Sequence, residues 1–308
     1  MLLLRDHVKA RSAPTDAPTE APTQAAKSKV KPGLRMNLIL IVLPFLTSFL
    51  VCYFGSQLPV PLLPPPSLAT PLNVVVLGGT GAVGTALVSS LISSPDIATV
   101  TLISRRAHPS IKHQKVTSQI LQMASPESFK AELQSLPMNY DIAFNTMGVG
   151  AASKATKQVL NITDHLLPLE FCKAAVAGGT KHLSVMTAIL ANSNAMDSGE
   201  VTGGGSGSYN KVKGELEEAV KDLMKDVEGE GSLMIIQPSV ILGTSHTPGF
   251  LAKLSFLNLL LPGWLRFSTV DDIAAGMRDT ALRAVGAKEN GVRVLEVQDY
   301  MAEAGRVV

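Results

Sequence analysis

Residues Val74–Gly84 read Val-Val-Val-Leu-Gly-Gly-Thr-Gly-Ala-Val-Gly, four apolar residues running straight into glycines at positions 78, 81 and 84. An apolar 3.6-residue repeat follows at once, with Val83, Ala86, Leu87, Leu91 and Ile92 on one face. A buried strand, a glycine turn and a helix in that order make the first unit of a dinucleotide-binding βαβ fold. Gly78 permits the tight turn, Gly81 lets a pyrophosphate approach the backbone, and Gly84 lets helix pack on strand. Thr80, Ala82 and Val83 complete the turn. Phosphates would sit there on the unpaired N–H groups and positive dipole of the helix N-terminus.

The chain after this turn alternates strand and helix signals. Strands are expected at Ala98–Ser104, Val116–Leu121, Tyr140–Met147, His182–Thr187, Leu233–Leu242 and Val292–Val297. Helices are expected at Pro126–Leu136, Leu166–Ala177, Tyr209–Asp226 and Asp271–Val285, the last capped by Gly286. Residues 192–208 read as a Gly/Ser-rich loop. Such alternation gives an α/β domain with a doubly wound parallel sheet, an NAD(P)-binding Rossmann fold over residues 72–308.

Three segments precede that domain. Residues 1–35 hold no core, and residues 12–26 are an Ala/Pro/Thr-rich stretch expected to be disordered. Residues 36–55 contain no charged side chain and are mostly Leu, Ile, Val and Phe. A helix of that length rises about 30 Å, enough to cross a bilayer core. A retained transmembrane anchor fits better than a cleaved signal, because some 35 residues precede the run and no small-x-small site follows. Residues 56–71 carry six prolines and read as a semi-rigid spacer. The charged fraction of 17% is low for a soluble enzyme, and from Met36 to Pro95 there is no Asp, Glu, Lys or Arg. A net charge of +2, without a basic stripe interleaved with aromatics, speaks against a nucleic-acid partner. The two cysteines and the histidines have neither disulfide-framework nor metal-ligand spacing, so no metal is expected.

Chemistry concentrates at two places. Arg105 and Arg106 close the second strand, where an acidic residue would take a ribose 2′-hydroxyl and an arginine accommodates a 2′-phosphate; this favours NADP(H). Tyr209 and Lys213 stand four apart at the start of a helix and share a face. A nearby ammonium favours phenolate, and so is expected to lower the tyrosine pKa toward neutrality.

Taken together, the glycine turn, Tyr209-Asn-Lys-Val-Lys213 and Gln237-Pro-Ser-Val-Ile-Leu-Gly243 resemble an extended or atypical short-chain dehydrogenase/reductase. Val100-Thr-Leu-Ile-Ser-Arg-Arg106, Gly178-Gly-Thr-Lys-His-Leu183 and Tyr209–Glu217 look more narrowly like the Tat-interacting-protein oxidoreductase family, which has a fungal mitochondrial outer-membrane branch. The resemblance covers roughly residues 73–304. It implies an NADPH-binding domain in which Tyr209 gives a proton to a small-molecule carbonyl substrate and Lys213 holds the nicotinamide ribose. Thr187 would orient the substrate, with Ser184 and Ser193 as competing hydroxyls. Thr146, Met147 and Gly148 would line the cofactor, and Pro238 and Val240 would edge the nicotinamide pocket. Three departures stand out: Gln237 where many extended members have Arg, Gln122-Met123 where an Asp often meets adenine, and a long 188–208 loop.

Two other functions remain compatible with these residues. A non-catalytic NADPH-binding sensor or assembly factor keeps the fold without the chemistry, and a sugar-nucleotide epimerase would need more than the roughly 65 residues after Gly243. A homo-oligomer is left open. Basic residues before the anchor would put the domain in a lumen by the positive-inside rule. NADPH chemistry and a short span with basic flanks favour instead the mitochondrial outer membrane, with the endoplasmic reticulum as the alternative.

Overall fold

The computed structural model describes residues 67–152, 155–196, 206–225, 231–245, 247, 258 and 260–303. Residues 1–66, and with them the expected anchor and most of the expected spacer, lie outside that set. Among the described residues no helix is long and apolar enough to cross a membrane.

Seven parallel strands form one sheet. They are β1 (Leu72–Leu77), β2 (Ile97–Ser104), β3 (Val116–Ile120), β4 (Ile142–Asn145), β5 (His182–Met186), β6 (Ser232–Ile236) and an edge strand at Gly291–Leu295, in the order β3-β2-β1-β4-β5-β6-edge. Because both faces of β1 are covered, its side chains alternate between two cores rather than between core and water. Val74 and Val76 join the cluster with Leu87, Leu91, Ile273 and Met277, whereas Val75 and Leu77 join that of Phe129, Phe171, Leu216 and Val220. Helix α1 (Ala82–Ser93) therefore covers one face together with the helix that carries Ile273 and Met277, and α2 (Pro126–Gln134) covers the other with the helices that carry Phe171 and Leu216.

Helix α3 (Lys157–Asn161) begins earlier than expected, at a Thr156 side-chain cap, and passes through a π-helical turn, Ile162–Leu166, into α4 (Leu167–Ala177). Pro168 has no N–H, and the wider turn just before it accommodates that missing donor. Helix α5 (Ser206–Lys225) carries the Tyr-Lys pair.

The sixth strand stops sooner than its apolar run suggests. Pro238 cannot donate to the ladder, so the chain turns away and Ile241–Leu242 (β7) pairs with Ser268–Thr269 (β8) in a separate ribbon. Helix α6 (Val270–Ala287) runs through Gly286, which does not cap it. The left-handed residue is Lys288, at φ 51°, whose N–H reaches Ala284 and Val285. The edge strand, β9 (Gly291–Leu295), is followed by a short helix, α7 (Val297–Glu303), not expected from the sequence.

The glycine turn sets the contact between α1 and β1. Gly78 adopts φ 85°, and a Cβ on Gly84 would collide with the Gly78 carbonyl oxygen and the Gly79 Cα. Gly84→Ala should therefore lower the unfolding free energy by about 2 kcal/mol, the cost of overpacking against backbone. An unchanged midpoint in chemical denaturation would contradict this contact.

Candidate functional site

Strand order reverses direction between β1 and β4, the place where open parallel sheets bind ligands beyond their carboxyl ends. A cleft of about 790 Å³ opens there. Gly78 and Thr80 to Val83 of the turn, Arg105 and Arg106, Thr146 to Gly148, Thr187, Tyr209, Lys213, Pro238 and Val240 all line it. Gly84 lies beneath, in the helix–strand contact.

At one end the cleft meets the N-terminus of α1. Gly81 caps that helix without a side chain, and its first turn holds no acidic residue. A Cβ on Gly81 would approach only the Gly78 oxygen, at 3.4 Å, so the backbone is open on that side. Free first-turn N–H groups, a positive helix end and no competing carboxylate fit a pyrophosphate. Thr146 ties β4 to β1 here, its hydroxyl donating to the Leu77 carbonyl at 3.1 Å. Arg105 and Arg106 are exposed at the rim.

At the other end a buried charge pair forms the floor. Lys213 Nζ lies 2.9 Å from Asp164 Oδ1, with both side chains almost fully buried, at 2% and 1% exposure. The π-helical turn points Asp164 inward, where its other oxygen accepts from the Val149 N–H at 3.0 Å. Gly148 leaves room for that approach, since a Cβ there would sit 2.9 Å from Asp164 Oδ1. Burial pulls the Lys213 pKa down, but the Asp164 carboxylate outweighs it and the net shift is upward.

This arrangement corrects the expectation for Tyr209. Lys213 Nζ is 5.8 Å from the phenol ring centroid. Burial raises the Tyr209 pKa, the ammonium lowers it, and Asp164 raises it again, so the phenol stands above its ordinary value. The sequence shows the cation and hides the carboxylate that neutralises it.

Thr187 is the one hydroxyl of the three candidates that lines the cleft. Ser184 is buried within β5, and Ser193 donates to Glu218 at 2.6 Å. Thr187 donates to Glu217 Oε1 at 2.6 Å, with the Ile236 carbonyl at 3.4 Å as a second acceptor. Glu217 also accepts from Gln237 Nε2 at 2.8 Å and pairs with Lys221 at 3.5 Å. Both protein partners of Thr187 only accept, and a hydroxyl has one proton. Its oxygen therefore faces the cleft as an acceptor.

Asp164 and Glu217 are the two functional carboxylates that the sequence reading missed. Glu217 had a signal, because Tyr209, Lys213 and Glu217 fall at i, i+4 and i+8 on one helix face. Asp164 had none, since only the π turn brings it to Lys213.

The fold is a Rossmann-type parallel sheet with its cleft at the switch in strand order, and solved structures share that fold. Among solved structures, a short chain dehydrogenase family protein from Francisella tularensis superposes with a TM-score of 0.56, covering 74% of this chain and 98% of that one at 13% identity. MoeE5 in complex with UDP-glucose and NAD superposes with a TM-score of 0.52, over 73% and 76% at 17% identity. No family model matches the chain. The mitochondrial protein fmp52 of Emericella nidulans is 31% identical over 173 residues, which are 56% of this chain and 67% of that protein. The chain belongs to the fmp52 family.

Truncating one partner of the ion pair tests its weight. Lys213→Met strands a buried carboxylate and should cost about 3–5 kcal/mol of stability, much of it regained when Asp164→Asn is added. Thermal unfolding of the two single variants and the double one measures this. A mild single variant, or a double variant no better, would contradict a buried ionised pair.

Proposed function

We propose that the chain is a membrane-anchored, NADP(H)-dependent short-chain reductase acting on a small carbonyl compound. The observation that carries this reading is the cleft itself, which brings an uncapped helix N-terminus, two rim arginines and the Tyr209–Lys213 pair onto one surface. The α1 N-terminus would hold the pyrophosphate, Arg105 and Arg106 the 2′-phosphate, and Lys213 the nicotinamide ribose. Hydride exchange with a carbonyl carbon is what a bound nicotinamide supplies.

The protein's own groups manage the proton and the orientation. Tyr209, whose pKa burial raises above its ordinary value, is protonated at neutral pH and stands as donor to a carbonyl oxygen. One N–H of Lys213 is taken by Asp164, leaving two for ribose hydroxyls. Thr187, an acceptor toward the cleft, suits a substrate hydroxyl or the alcohol product. Met186, Ile189 and Val240 with the hydroxyls of Thr244 and Thr247 line the same cavity and suit a small uncharged molecule.

One observation favours a second reading, a non-catalytic NADPH-binding sensor or assembly factor. Asp164 neutralises Lys213 and leaves the Tyr209 phenol a weaker acid than usual. The Tat-interacting-protein oxidoreductases remain the narrower likeness, resting on the sequence stretches quoted above.

Tyr209→Phe separates the two readings. The reductase predicts that carbonyl-dependent NADPH oxidation falls about 10²–10⁴-fold while NADPH affinity stays nearly constant. Turnover that survives the substitution would falsify the proton-donor role, and a wild type that oxidises NADPH with no carbonyl tested favours the sensor if NADPH still binds.

The anchor reading places residues 36–55 in the mitochondrial outer membrane; the matched fmp52 relatives carry mitochondrial names. The protein should then stay in the pellet when isolated mitochondria are extracted at alkaline pH, and its domain should be digested by protease without detergent. Release at alkaline pH, or protection from protease, goes against it.

A further inference from the structure

We propose that His108 is a positioning residue for NADP(H) selectivity, clamping the Arg105-Arg106 loop to the phosphate-binding turn through one chain of hydrogen bonds. This rests on the NADP(H) reading and adds to it the device that aims the two arginines. His108 lies two residues beyond Arg106 and is buried, with 7% exposure, although the loop around it faces solvent. Its Nδ1 accepts the backbone N–H groups of Ser110 at 3.3 Å and Ile111 at 3.0 Å. A nitrogen that accepts two N–H groups bears no hydrogen, so in the neutral ring the proton is on Nε2. Nε2 then donates to Thr85 Oγ1 at 3.1 Å, and Thr85 donates to the Gly79 carbonyl at 3.3 Å. The chain runs from the arginine loop, through α1, into the glycine turn. Two further contacts hold the loop: Ser104 Oγ donates to the Arg106 carbonyl at 2.7 Å, and Ile111 packs on the core beneath α1.

The clamp works only while the ring is neutral. A second proton on Nδ1 would face two N–H donors, and the loop amides would lose their acceptor. No ionisable side chain lies on α1, from Ala82 to Ser93, or in the Gly78–Thr80 turn. The charged and titratable groups on the ring's own loop are Arg105, Arg106, Lys112, His113 and Lys115; Lys115 Nζ donates to the Ile92 and Ser94 carbonyls. None is a carboxylate that could favour the imidazolium, and burial holds the His108 pKa below its ordinary value. The ring is thus neutral at pH 7, and the clamp opens on acidification.

The test measures NADPH and NADH affinities of the full chain in detergent from pH 5 to 8, for wild type, His108→Ala and His108→Asn. Asparagine supplies an oxygen that can accept the same two amides and cannot titrate. At pH 7.5 His108→Ala should lose about tenfold of the NADPH preference over NADH, the order of one charge-assisted contact, and His108→Asn should rescue it. Below pH 6 the wild type should lose preference faster than His108→Asn, which shares any titration of the ligand's own phosphate. An unchanged NADPH/NADH ratio in His108→Ala, or identical pH profiles for wild type and His108→Asn, overturns the proposal. Amide exchange at Ser110 and Ile111 gives a reading without cofactor. Protection should weaken on acidification in wild type relative to His108→Asn, and equal protection counts against the clamp even if neither nucleotide binds. Absence of NADPH binding to the wild type would instead remove the NADP(H) reading itself.

Discussion

Helix α1 lies against β1 only because Gly84 has no Cβ to meet the Gly78 carbonyl. That contact fixes where the helix begins and points its uncapped N-terminus beyond the carboxyl end of β1. The switch in strand order beside β1 then parts the flanking connections and leaves a crevice at the same place. An uncapped helix N-terminus and an open cleft are therefore two consequences of one close approach. The remaining strands extend the sheet so that β5, β6 and α5 bring their side chains to the far wall.

That far wall is built on buried charge. An isolated ammonium at the position of Lys213 would be costly to desolvate, and Asp164 makes it tolerable. The same carboxylate cancels much of the field that Lys213 exerts on Tyr209, so burial dominates the phenol's titration. Glu217 acts similarly one turn further along α5, accepting the hydrogen bond that the Thr187 hydroxyl donates and so setting that hydroxyl's polarity toward the cleft. Two carboxylates thus decide how the Tyr-Lys-Thr group presents itself. Both are held in place by neighbours, the Val149 N–H in one case and Gln237 in the other.

The parts of this site legible in the sequence are those whose determinants are local. The glycine spacing from Gly78 to Gly84, the arginines at the end of β2 and the four-residue Tyr209–Lys213 interval each follow from a few adjacent residues. The strand and helix order was legible for the same reason. Asp164 was hidden because the π turn before Pro168 interrupts the helical period, and its partner lies 49 residues on. The expected strand to Leu242 ends early because the apolar run continues past Pro238, whereas the hydrogen-bond ladder cannot. His108 has no sequence signal because its contact is with Thr85, 23 residues earlier. Tertiary hydrogen bonds leave no period to read.

The central claim is that the open N-terminus of α1 holds the phosphates of a dinucleotide, and Gly81→Asp tests it most directly. The position has φ −74° and room for a Cβ, so an aspartate there should cap the helix and leave stability equal or slightly higher. Its carboxylate would at the same time occupy the N–H groups and repel an anion. Calorimetric titration of the wild type and this variant with NADPH, alongside their thermal unfolding, gives both quantities. The account predicts binding by the wild type and none by an equally stable Gly81→Asp. Equal NADPH affinity in the two proteins would contradict it.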